Sequence, residues 1–182
     1  GRNAGEIAEL TWLAGYFGVP TIMVSGDDAA VREAQHMFPG IRGAVVKTSR
    51  DRQHADLLPL KEAHALIEEV AADALRHLNE YRPYALEPPI EVEAILATPE
   101  MAQAAAMMPR SRLGGANSVI YIADSYPEAL MAYFNAVTLG MQVVNGQLME
   151  KLRQITGVQQ AIAEFYNEMR QRWISEPPPF PA

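Results

Sequence analysis

The stretch from Gly5 to Asp28, GEIAELTWLAGYFGVPTIMVSGDD, limits the possible folds more than any other part of this chain. Ile7, Leu10, Leu13, Ala14 and Phe17 recur at helical spacing and predict one apolar helix face. Gly18 ends that helix, and Pro20 stands at the start of the next element. Thr21-Ile22-Met23-Val24 is a short apolar run rich in β-formers and predicts an inner strand. Ser25-Gly26-Asp27-Asp28 then reads as the polar turn at the strand's exit. A helix packed behind a buried strand is α/β construction, and ligands gather at the carboxyl ends of such strands. Glu6 and Glu9 fall in the first helical turn, where carboxylates complement the helix dipole.

The rest of the chain continues the pattern. Asp27 or Asp28 is expected to cap a helix through about Met37, with Val31, Ala34 and Met37 inward. Pro39-Gly40 ends it, and a strand follows over Ile41–Lys47. Thr48–Asp56 reads as irregular and polar, and a long helix runs from Pro59 to about Asn79 with an apolar stripe from Leu60 to Leu78. The proline-studded connector Tyr81–Pro89 reads as a boundary. Ile90–Leu96 alternates with period two, predicting a strand with one wet face. Thr98 opens a helix to Met108, Arg110–Asn117 reads as a loop, and Ser118–Ala123 as a strand. Two helices are expected over Pro127–Met141 and Gln147–Trp173, before a stiff tail at Glu176–Pro181. The predicted fold is α/β, with two small lobes of mixed or parallel sheets flanked by helices and a C-terminal helical extension. The expected divisions are 1–80, 81–145 and 146–182.

Composition narrows the function classes. The chain has 182 residues, 49% hydrophobic and 20% charged, the balance of a folded protein with a sizeable core. A formal charge of −7 argues against nucleic-acid binding, which needs a concentrated basic surface. The absence of cysteine removes disulfides, thiolate metal sites and cysteine nucleophiles. No apolar run nears the roughly 18 residues of a membrane span. The expectation is a cytoplasmic protein with no nucleic-acid or membrane partner. The opening Gly1-Arg2-Asn3 reads as a turn with nothing before it to turn from, so further sequence is expected upstream of Gly1.

Each candidate site residue also has a plain structural reading. Glu6 could simply stabilise the helix dipole, worth about 0.3–1 kcal/mol. Ser25–Asp28 could be a ligand loop or a helix cap, and the cap is the simpler reading. Lys47, Arg50 and Arg52 could bind a substrate carboxylate or phosphate, since arginine suits bidentate pairing, or they could form a solvated loop or an intersubunit contact. His36, His54, His64 and His77 show no i, i+4 pair and no His-Glu-x-x-His. The Met101, Met107 and Met108 cluster is most simply packing. On the residues alone, an enzyme and a non-enzymatic α/β binding or assembly module both remain open.

The ordered block Gly5-Glu6-Ile7, Ala14-Gly15-Tyr16-Phe17-Gly18-Val19-Pro20 and Val24-Ser25-Gly26-Asp27-Asp28 resembles the bacterial zinc D-aminopeptidases of the dipeptide-operon type. The likeness continues through Ala44–Lys47, Arg52, Ala55 and the Pro59–His77 helix, and more weakly to about residue 141. It implies a zinc-dependent aminopeptidase acting on short peptides, including those with N-terminal D-amino acids, and assembled as a ring-like homo-oligomer. In that family the zinc site combines an Asp-x-Glu pair, two histidines and a glutamate of a Gly-Glu-(Ile/Leu) motif. The resemblance therefore maps one zinc ligand onto Glu6. It places the other ligands and the catalytic histidine upstream of that motif, so no catalytic residue is assigned in this chain. Arg50 and Arg52 stand as weak substrate-binding candidates.

Overall fold

The computed structural model describes residues 1–51 and 53–175. Helix α1 (Glu6–Tyr16) leads into β1 (Met23–Asp27), helix α2 (Asp28–Met37) and β2 (Arg42–Ser49). Here β1 and β2 pair in parallel, and β3 (Ala55–Leu57) adds antiparallel to β2, giving the sheet order β1-β2-β3. Helix α3 (Leu60–Arg76) and a 3-10 turn at Leu78–Glu80 follow. Strand β4 (Ile90–Ile95), helix α4 (Pro99–Ala105), β5 (Ser111–Gly115) and β6 (Ser118–Ala123) build a second sheet in the order β4-β6-β5. The long helix α5 (Tyr126–Arg153) and α6 (Val158–Ser175) end the described chain. The α/β class expected from the sequence is what the structure has. The tail expected at Glu176–Pro181 lies outside the described residues.

Two compact units are present. One comprises Gly1–Val92 with Ile122–Ala132, the other Glu93–Tyr121 with Tyr133–Ala182. In the first, Ala8, Ala34, Phe38 and Ile41 are buried together, with Ile7, Trp12, Val24, Met37 and Tyr84 packed around them. In the second the core is Ala94, Leu96, Met101, Ala102, Ala105, Val119 and Ala136.

The apolar face of α1 differs from the one predicted. Ala8, Thr11 and Gly15 are the buried positions, while Leu10 and Phe17 are 65% and 69% exposed. Close backbone approach is the reason. A Cβ on Gly15 would lie 2.1 Å from the Tyr84 carbonyl oxygen, so the helix meets its neighbour on its small residues and its large ones face away. The end of α1 follows expectation: Gly18 takes φ +76°, Gly18 N–H bonds Gly15 O at 2.9 Å, and Val19 N–H bonds Ala14 O at 2.9 Å. This double bond pattern is a Schellman motif.

Other local expectations shift because strand pairing overrides polar composition. Strand β1 runs two residues later than predicted, and Ser25 and Gly26 pair with Ala44 and Val45 instead of forming a turn. Strand β2 extends through Thr48 and Ser49, which lie opposite Asp56 and Ala55 of β3. The predicted loop at Arg110–Asn117 contains β5, antiparallel to β6. Gly114 is needed there for space, since a Cβ would come within 2.8 Å of Ile120 and Ser118 side-chain atoms. Helix α5 runs unbroken through 141–147, where two helices were expected. Buried Gly140 packs against Met101 and Leu96 within it, and the chain turns only at Gly157, with φ +86°. Of the methionine cluster, Met101 is in the core and Met107 is 83% exposed.

Candidate metal-ligand site at the start of α1

Glu6 is the first helical residue of α1, and its side chain is exposed. Gly5 precedes it in extended conformation and has no side chain with which to cap the helix. The turn closes through the Glu9 N–H, which bonds Gly5 O at 3.0 Å. A carboxylate in this position lies at the positive end of the helix dipole. Its oxygen is free to meet a cation from solvent.

Glu9 lies one turn on, on the same side of the helix as Glu6. Burial raises the Glu9 carboxyl above the ordinary carboxylate range, and the nearby charge of Glu6 adds to that rise. The backbone carbonyl of Glu9 accepts a hydrogen bond from the Tyr126 hydroxyl at 3.0 Å. Tyr126 is 5% exposed, and its phenol is pushed up to about 12, first by burial and then by the Glu9 charge. It therefore stays a protonated donor at any ordinary pH. The Trp12 ring meets it edge-on at 6.0 Å, and Trp12 in turn meets buried Phe38 at 5.9 Å. No sequence pattern singles out Tyr126. A lone tyrosine at the start of a helix reads as packing, and its partner is 117 positions away.

Among the remaining candidates, Asp27, Asp28, Arg50, His54 and His77 are held in local contacts. Asp27 caps α2, its Oδ1 accepting from Ala30 N–H at 2.7 Å. That bond, before a contact with Ser49 and the charge of Lys47, lowers its carboxyl below the usual range. Asp28 accepts from Ser49 N–H at 2.9 Å and pairs with Arg32 at 2.6 Å, both of which lower its carboxyl. The cap reading of Ser25–Asp28 is thus the one the geometry supports. Arg50 grips Asp56, Nε to Oδ2 at 2.5 Å with a second contact between its terminal nitrogen and Oδ1. Arg52 lies outside the described residues. His54 Nδ1 sits 2.9 Å from Asp51 Oδ1, and His77 Nδ1 sits 2.8 Å from Asp73 O. His36 is in the last turn of α2, and His64 is exposed on α3.

Whether these residues fit a zinc ion can be judged from the donor set. A carboxylate oxygen on a rigid helix end is a donor that zinc accepts. Among the described residues, no group of three or more His, Cys, Asp or Glu could hold a metal. Glu6 is therefore a single candidate donor, and a zinc ion would need others from outside the described residues. Also among them, no helix is long and apolar enough to cross a membrane.

A family profile described as D-aminopeptidase matches residues 1–135. A curated D-aminopeptidase of Bacillus subtilis (strain 168) is 32% identical over 146 residues, 78% of this chain and 52% of the relative. Among solved structures, the chain is similar to the Zn-dependent D-aminopeptidase DppA of Bacillus subtilis, described as a self-compartmentalizing protease. The TM-score is 0.74 at 29% identity, covering 77% of this chain and 52% of that one. The chain thus spans about half the length of the relatives it matches.

Proposed function

Because this chain belongs to the D-aminopeptidase family, we propose that it contributes to a zinc-dependent aminopeptidase acting on short peptides with N-terminal D-amino acids, with Glu6 as one zinc ligand. The observation that carries this reading is the Gly5-Glu6 step. It stands at the exposed start of α1, within the matched residues. When bound, zinc supplies Lewis acidity toward a peptide carbonyl. The chain's own part is to hold a carboxylate oxygen at a fixed place. Glu6 sits at the positive end of the helix dipole, and the packing of Ala8 and Thr11 keeps the helix from turning.

A homo-oligomer belongs to the same proposal. The Bacillus neighbour is described as self-compartmentalizing. In this chain α1 leaves Leu10, Tyr16 and Phe17 substantially exposed, apolar area that association between copies would cover. The cytoplasm is the proposed compartment, in keeping with the cysteine-free sequence.

The test uses the polypeptide as it occurs in cells, purified without chelator. The parental protein should carry stoichiometric zinc and release D-alanine from a D-Ala dipeptide. Glu6→Gln should lower zinc occupancy and reduce release at least a hundredfold while leaving the far-UV circular dichroism spectrum unchanged. Parental protein free of zinc would overturn the reading in favour of a binding or assembly module. Full zinc retention in Glu6→Gln would remove Glu6 as the ligand.

A further inference from the structure

We propose that Tyr126 is a positioning residue for Glu6: reaching α1 from the start of α5, it fixes the uncapped turn on which Glu6 is carried. The inference rests on the reading of Glu6 as a zinc ligand.

A helix end leaves its first N–H groups without intrahelical partners, and a side-chain cap ordinarily steadies that turn. In α1 the cap position is Gly5, and no side-chain cap bond is made. An uncapped first turn frays, which is poorly suited to presenting a metal ligand within the few tenths of an ångström that coordination tolerates. The structure supplies a substitute from a distant part of the chain. The Tyr126 hydroxyl donates to the carbonyl of Glu9, the residue that closes the turn back onto Gly5. Glu9 is thereby held from both sides of its backbone. Its N–H is bound to Gly5, and its carbonyl is bound to Tyr126.

The donor is itself fixed. The Tyr126 ring is almost fully buried and meets Trp12 edge-on, with an interplanar angle of 68°. Trp12 meets Phe38 at 80°, and Phe38 is 1% exposed. The tie therefore runs from the hydrophobic core to the first turn of α1 through three aromatic rings. At the other end of the helix, Gly15 lies against the Tyr84 backbone, which opposes sliding along the axis. Tyr126 adds the remaining constraint at the end that carries Glu6. The Glu9 carbonyl faces its ordinary intrahelical partner as well. Loss of the phenol oxygen would thus leave no orphaned acceptor, and the fold should survive it.

Partners that orient a metal ligand typically contribute 10–100-fold to metal affinity. Tyr126→Phe removes only the hydroxyl. We expect it to raise the zinc dissociation constant about tenfold, read by competition with a chromophoric chelator, and to alter the visible spectrum of the cobalt-substituted protein. The turnover number for D-Ala dipeptide should fall while KM is unchanged. Leu130→Ala, also on α5, is the control, and it should lower thermal stability without moving zinc affinity. An equal loss of affinity in Leu130→Ala would mean general destabilisation and would overturn the proposal, as would parental affinity and spectrum in Tyr126→Phe. Glu6→Gln is measured alongside. If it keeps full zinc, the ligand reading itself is wrong and the proposal falls with it. If it loses zinc while Tyr126→Phe does not, only the positioning role is wrong. Should Tyr126→Phe fail to fold, Trp12→Phe loosens the same ring and is expected to show the same loss, with parental affinity again the overturning result.

Discussion

At the scale of single residues, the acidic side chains near α1 and α2 divide by their environment. Asp27 and Asp28 are bound by backbone N–H groups, and those bonds lower their carboxyls. Glu9 is raised, because burial strips its solvent and the Glu6 charge lies nearby. A lowered carboxyl stabilises the fold above its unfolded value of 3.8, and that stability is lost as pH falls through the folded pKa. Asp27→Ala should therefore lower Tm by roughly 2–4 °C at pH 7, the effect of a lost helix cap in a chain of this size. The gap between parental and variant melting curves should narrow as the pH drops below 3.8. A gap that stayed constant down to pH 2 would mean that Asp27 acts through something other than its charge. The sequence alone put Asp27 or Asp28 at a cap, and the structure chose Asp27. The sequence could not separate that role from ligand binding, because both use a carboxylate at the end of a strand.

At the scale of elements, two glycines of one heptapeptide do different work. Gly18 is required by conformation, since φ +76° is the left-handed region. Gly15 is required by space, since its Cβ would collide with the Tyr84 carbonyl. Gly18→Ala should cost about 1–2 kcal/mol, and Gly18→Asn should recover part of that, because asparagine tolerates this region. Gly15→Ala should cost about 1–3 kcal/mol, and asparagine there should be worse than alanine, because the obstacle is volume. Urea-melt midpoints for the four variants distinguish the cases. Equal behaviour of asparagine at both positions would sink the account. Gly18 was readable from its place after the last apolar residue of the helix. Gly15 was not, because its contact with Tyr84 lies 69 positions away along the chain and no local pattern records it.

At the scale of the molecule, the outward face of α1 bears on assembly. Phe17 is 69% exposed and Leu10 65%, beside Tyr16 and Val19, a concentration of apolar area that a lone subunit would rarely leave uncovered. Phe17→Glu should leave folding stability within about 0.5 kcal/mol, as expected of a surface position. It should also reduce the mass measured by light scattering coupled to size exclusion. An unchanged mass would show that this face does not join copies. Phe17 lies at the opposite end of the helix from Glu6, the proposed zinc ligand, so the variant tests assembly apart from metal binding.

The sequence by itself determined what depends on neighbours along the chain. The positions of α1, α2 and α3, the period-two face of β4, the Gly18 stop and the caps at Thr98 and at Asp27 or Asp28 all follow from spacing and side-chain chemistry within a few residues. Through its ordered Gly-Glu block the sequence also carried the family and singled out Glu6. Tertiary structure alone decided the rest. It chose which face of α1 is buried, because small residues at Ala8, Thr11 and Gly15 allow an approach that the larger apolar side chains forbid. It turned polar stretches into β3 and β5, because a partner strand satisfies backbone groups that composition leaves undecided. It also brought Tyr126 to the turn that carries Glu6. A hydrogen bond across 117 positions is set by how helices pack, and no periodicity along the chain encodes it.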